Sequence, residues 1–275
     1  MEETMLARQW VVITVCLLIV LVLVGGCATP VAPTPTRAEL PAGPEAEWNL
    51  VVIGDSTLWG LAEAFAAQIE RDVGVQVAYN DCTVGGLSAG AVLKALETGE
   101  SSNRKLASLP EWLAEAEVVV MFANPEDSID PEVPLDLEDC FYYRAPGLCS
   151  PESFGKYTAD VSAVWARILE LRGDQPVILR AMDIYSPVVM PWNRYGVFEA
   201  CTECWENKSD ALRLAAEAHG IPFLSVYDAY NGADHTEDPR EKGYIDRDGV
   251  HPSDLMAQHT AELLSAMGYE PTSGP

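Results

Sequence analysis

The chain has 275 residues, with 17 basic side chains against 42 acidic ones and a formal net charge of -25. That balance excludes a phosphate-binding surface of the kind nucleic acids require, and it disfavours electrostatic docking on anionic lipid. An apolar fraction of 48% separates the chain from disordered acidic tails and predicts a folded core.

The first element is not part of that core. Trp10 to Val24 is an almost uninterrupted apolar run closed by Gly25-Gly26-Cys27. It is short for a membrane-spanning helix, which needs roughly 20 residues, and suits an export signal. The small residues before Cys27 resemble the lipobox of bacterial lipoproteins, which implies that Cys27 is lipidated and that 1–26 is removed. The alternative is an uncleaved N-terminal anchor, since Glu2 and Glu3 precede the run where a signal usually carries positive charge. Both readings put the domain outside the cytoplasm, tethered to a membrane. Residues 27–47, with five prolines between Pro30 and Pro44, read as an extended tether. The folded unit is expected over 48–270.

Within it, apolar runs alternate with helical spacing. Asn49–Ile53, Val75–Tyr79, Val118–Phe122, Val177–Met182 and Pro222–Val226 are strand candidates. Between and after them, 58–69, 89–96, 157–171, 209–219 and 252–267 carry helical periodicity. Continuous apolar strands separated by helices predict a three-layer α/β fold, a doubly wound parallel sheet of about five strands. Two stretches break the alternation. Pro125–Phe154 carries seven acids between Glu126 and Asp139, and Pro187–Trp205 holds Trp192, Tyr195, Phe198 and Trp205. Both read as long loops, serving as lids, as substrate walls or as disulfide-stapled decoration. In an exported chain, Cys140 with Cys149 and Cys201 with Cys204 are the expected bridges, leaving Cys82 over.

Active sites of open parallel sheets form beyond the C-terminal strand ends. Gly54-Asp55-Ser56 follows the first strand, Gly85-Gly86 the second and Asn124 the third, while Asp248-Gly249-Val250-His251 precedes the last helix. These supply a nucleophile, backbone donors, a side-chain amide, and a base with its orienting carboxylate, the parts that acyl transfer needs. In this order they resemble the four blocks of the SGNH (GDSL) hydrolases. The third block departs, because Phe122-Ala123-Asn124-Pro125 lacks the family's glycine and trailing aspartate. The resemblance spans Trp48 to Gly268 and implies a flavodoxin-like fold and hydrolysis of carboxylic esters through an acyl-enzyme. Ser56 is then the nucleophile, His251 the general base and Asp248 its orienter. The N–H groups of Ser56 and Gly86 and the amide of Asn124 form the oxyanion hole, and Asp55 orders the turn.

Several alternatives stand beside this reading. Ser56 could cap a helix, and Asn124 could be a turn residue before Pro125. Gly86-Leu87-Ser88-Ala89-Gly90 matches the nucleophile elbow Gly-x-Ser-x-Gly. His219, His235 and His259 have no carboxylate three residues upstream and no strand-end context, and read as core or surface residues. No cofactor or metal motif is visible, and the acid run reads as a solvated face without the spacing of a calcium loop. The expected partners are a small-molecule or polysaccharide ester and, through the N-terminus, a membrane. The competing function is an SGNH-fold binding lipoprotein with little activity.

Overall fold

A computed structural model describes residues 39–272. The expected signal segment, Cys16 and Cys27 lie outside the described residues. The end of the expected tether does not: Leu40 and Ala46 pack against the core, and the Trp48 indole donates to Pro41 O at 2.8 Å. Among the described residues no helix is long and apolar enough to cross a membrane.

Strand β1 spans Glu47–Gly54 and leads through a 3-10 turn, Ser56–Leu58, into helix α1, Leu61–Val73. Gly74 stops α1 at φ +77, donating its N–H to Glu70 O. Strand β2, Gln76–Thr83, is followed by α2, Ala89–Thr98, and α3, Arg104–Glu115. Ser88 caps α2 by accepting from Ala91 N. Strand β3, Val118–Met121, precedes the short α4, Leu137–Phe141, and the long α5, Gly155–Arg172. After β4, Ile178–Met182, come α6, Val189–Tyr195, and α7, Phe198–Glu217. The chain closes with β5, Phe223–Leu224, then α8, Val226–Asn231, and α9, Asp254–Ala266.

All five strands are parallel, in the order β2-β1-β3-β4-β5. Helices α1 and α9 pack together as one layer, and α2, α3, α5 and α7 form the other. The expected doubly wound sheet is therefore present. Its interior strands are apolar throughout because both faces are covered: Val118 to Met121 and Leu50 to Ile53 are buried without interruption. The strand order reverses at β1 and β3, and the crevice that opens there at the strand ends lies next to Ser56 and Asn124.

Three expectations need correction. Pro187–Trp205 is not a loop but α6 and the first two turns of α7, and Trp192 and Trp205 are fully buried core residues. The helix expected over 209–219 consequently begins at Phe198. The disulfides join Cys140 to Cys201 and Cys149 to Cys204, with Cα separations of 5.5 and 5.1 Å. Residues three apart on a helix lie on one face, so Cys201 and Cys204 present both sulfurs outward to the crossing 140–149 segment rather than to each other. Cys82 is free and buried, and burial pushes its thiol up to about 12.

Candidate active site

The turn after β1 is built by Asp55. Its Oδ1 accepts from Thr57 N at 2.8 Å and from Thr57 Oγ1 at 2.5 Å, capping the 3-10 turn. Ser56 is thereby relieved of the capping role, and its Oγ lies 2.9 Å from His251 Nε2. The two residues are 195 positions apart in sequence. His251 is presented by a turn that Asp248 closes: Asp248 Oδ1 accepts from Val250 N at 2.9 Å and from His251 N at 3.0 Å. Its other oxygen stands 2.6 Å from His251 Nδ1. The Val250 amide, the imidazole and the His251 amide together hold the Asp248 carboxyl down to about 2. An ionised carboxylate on Nδ1 keeps the proton there and leaves Nε2 free to accept from Ser56.

Both members of the pair remain open to solvent, with 28% of the His251 side chain and 49% of Asp248 exposed. Trp59 stacks on the imidazole, ring centroids 4.4 Å apart and planes 17° from parallel. The sequence reading missed Trp59. Its only signal was an aromatic side chain three residues after the serine, where the turn swings it back over the histidine.

Gly86 follows the end of β2 and Asn124 the end of β3, the two strands that border β1. Gly86 adopts φ +67, a conformation strained for any residue with a Cβ. Asn124 is anchored by its backbone: its N–H donates to Leu87 O and its carbonyl accepts from Ala89 N, both at 2.8 Å. Its side-chain nitrogen donates to Asp55 Oδ2. A primary amide carries two hydrogens, so one stays available beside the Ser56 turn. The trailing Asp that the motif lacks is not replaced at that position, because Pro125 follows Asn124 directly.

Ser88 is elsewhere. It is 2% exposed, caps α2, and donates to Asp127 Oδ2 at 2.6 Å. Among the described residues no histidine ring nitrogen bonds to it, which removes the nucleophile-elbow alternative. His219 bonds to Ser162 Oγ and His259 to Tyr230 OH. His235 is largely buried between Glu206 and Asp228, carboxylates that sequence spacing did not reveal. Among the described residues, no group of three or more His, Cys, Asp or Glu side chains is arranged to hold a metal ion.

A second polar cluster lies beneath the site and was not anticipated. Asp183 is buried and accepts from Val226 N at 2.5 Å, Tyr227 N at 3.0 Å and the Ser209 hydroxyl. Burial pushes its carboxyl up to about 6 despite those donors. Lys208, also buried, lies with Nζ 3.5 Å from the Trp205 ring centroid, and burial lowers its ammonium to about 7.

No protein-family model matches the sequence, and the curated proteins hold no match. Solved structures do resemble it. The lipase Lip_vut3 from a goat rumen metagenome superposes with a TM-score of 0.56 at 19% identity, covering 81% of this chain and 98% of its own. LAE5, an alpha/beta hydrolase enzyme from the metagenome of Lake Arreo, Spain, gives 0.50 at 15% identity, covering 83% and 97%. At these identities the likeness is one of fold.

Proposed function

We propose that this chain is an extracytoplasmic serine esterase that hydrolyses carboxylic esters through an acyl-enzyme on Ser56. The observation that carries the reading is the unbroken hydrogen-bond path from Ser56 Oγ through His251 to Asp248. His251 Nε2 takes the Ser56 proton as Oγ attacks the ester carbonyl carbon. The tetrahedral oxyanion is met by the N–H groups of Ser56 and Gly86 and by the Asn124 amide, each such donor being worth roughly a hundredfold or more in rate. His251 then gives its proton to the departing alcohol. In the second half, it deprotonates a water that attacks the acyl carbon, and Ser56 is released. Asp248 stays ionised throughout and holds the imidazole in the required tautomer. A lipase, Lip_vut3, shares this fold, in keeping with the proposed chemistry. Export and anchoring through Cys27 complete the proposal and rest on the N-terminal sequence alone.

The binding-lipoprotein alternative is favoured by one observation, the Asn124 amide being drawn to Asp55. A fluorophosphonate probe separates the two. The expected result is covalent labelling of the intact protein that is absent in Ser56→Ala, with nitrophenyl acetate turnover reduced by at least about 10⁴-fold in that variant. Undiminished turnover in Ser56→Ala removes Ser56 from the mechanism. No labelling of the folded protein favours the binder.

A further inference from the structure

The two disulfide-joined segments carry aromatic rings that the core does not use. Tyr142, Tyr143 and Tyr195 are all exposed, Tyr142 and Tyr195 at 59% each. Tyr143 follows α4 and Tyr195 ends α6, yet their rings stack 4° from parallel with centroids 5.4 Å apart. The Cys140–Cys201 bridge ties the first segment to α7 just beyond Tyr195, so the alignment is held covalently. Two guanidinium groups border the rings: Arg144 lies 5.4 Å over Tyr142 and Arg194 6.0 Å from the Tyr195 centroid.

The backbone supplies a second, independent observation. Tyr143 sits at φ +59. Its N–H donates to Cys140 O at 3.2 Å, and Arg144 N donates to Asp139 O at 2.9 Å. This is a left-handed helix stop, where glycine is the unstrained residue. A bulky ring is therefore held in a strained conformation with its side chain on the surface, a pattern that marks a constraint other than folding.

The chemistry of the patch selects its occupant. A pyranose ring presents a face of C–H groups edged by hydroxyls. Tyrosine faces match the former, and phenol and guanidinium groups match the latter. A neutral polymer also escapes repulsion by a chain of net charge -25, which an anionic membrane does not. The platform stands at the strand-end side of the sheet, as the triad does. The connection from β4 to α6 carries Tyr185, whose hydroxyl donates to Val250 O, next to His251.

We propose that the Tyr143–Tyr195 stack, with Tyr142, Arg144 and Arg194, is a docking platform for a neutral polysaccharide, and that the ester cleaved at Ser56 is carried on such a glycan. The second half of this statement rests on the esterase reading; the first does not. Electrophoresis of Ser56→Ala through gels holding xylan, mannan or β-glucan tests the platform without catalysis. Retardation by at least one polymer is expected, and it is abolished when Tyr195→Ala is added. In the Ser56 background, Tyr195→Ala and Tyr143→Gly keep nitrophenyl acetate turnover within about twofold and lose about tenfold on acetylated xylan. Tyr143→Gly relieves the backbone, so a folding defect does not account for its loss. Absence of retardation by every polymer, or unchanged retardation in Tyr195→Ala, overturns the platform. Binding to phosphatidylcholine vesicles that Tyr195→Ala abolishes, without glycan binding, assigns the patch to lipid and overturns it equally. Retardation in a wild-type protein that cleaves no ester sinks the esterase reading and leaves the platform standing.

Discussion

Asp248 and Asp183 do almost the same thing with their backbone partners and end up as opposite groups. Each accepts two main-chain N–H bonds; Asp248 adds one side-chain partner, His251, and Asp183 adds two, the Ser209 and Ser225 hydroxyls. Asp248 is half exposed and falls to about 2, whereas Asp183 is buried and rises to about 6. Hydrogen bonds favour the ionised form in both places; water decides whether they win. The exposed carboxylate is free to serve the imidazole beside it, while the buried one is committed to holding the start of α8.

Substitution should separate these roles sharply. Asp248→Asn is expected to lower ester turnover about 10⁴-fold by spoiling the His251 tautomer. Its thermal stability should shift little, because the side chain is half solvated. A loss of stability comparable to the loss of rate contradicts the assignment. Asp183→Ala should do the reverse. It strands the buried Val226 and Tyr227 amides and removes the carboxylate that most favours the Lys208 charge, a class of change that costs about 3–5 kcal/mol. Denaturant melts read that cost, and turnover per folded molecule should survive.

The smallest predicted effect is in pH dependence, and the sign differs between the two. Between the ordinary value of 3.8 and about 6, folded Asp183 binds more proton than the unfolded chain, so its contribution to stability falls as pH rises through that window. Asp248 has the depressed value. Its contribution is complete above 3.8 and is lost only as pH falls toward about 2. Stability differences between wild type and each Asn variant, measured from pH 2 to 8, should therefore slope in separate windows and opposite directions. Coincident slopes dissolve the comparison.

How much of this was readable beforehand depends on the range of the interaction. The sheet was legible because a strand buried on both faces must be apolar throughout, as Val118 to Met121 are. The pairing of Ser56 with His251 was legible because each sits at a position a parallel sheet brings to one end. Helix α3 was not, since Pro110 stands in its interior and hides the Leu106, Leu109 and Leu113 face. The disulfide pairing was missed because proximity in sequence suggested the wrong partners for sulfurs that share a helix face. Asp183, Lys208 and Trp59 carry no pattern of their own. Their meaning comes entirely from neighbours contributed by distant elements.

The doubled bridge has one further consequence. A flap fastened by one pin can swing, but Cys140 and Cys149 are pinned to adjacent turns of the same rod at Cys201 and Cys204. Two pins forbid rotation. The 140–149 segment is thus a doorpost and not a door, fixed in orientation against the helix that carries both partner sulfurs.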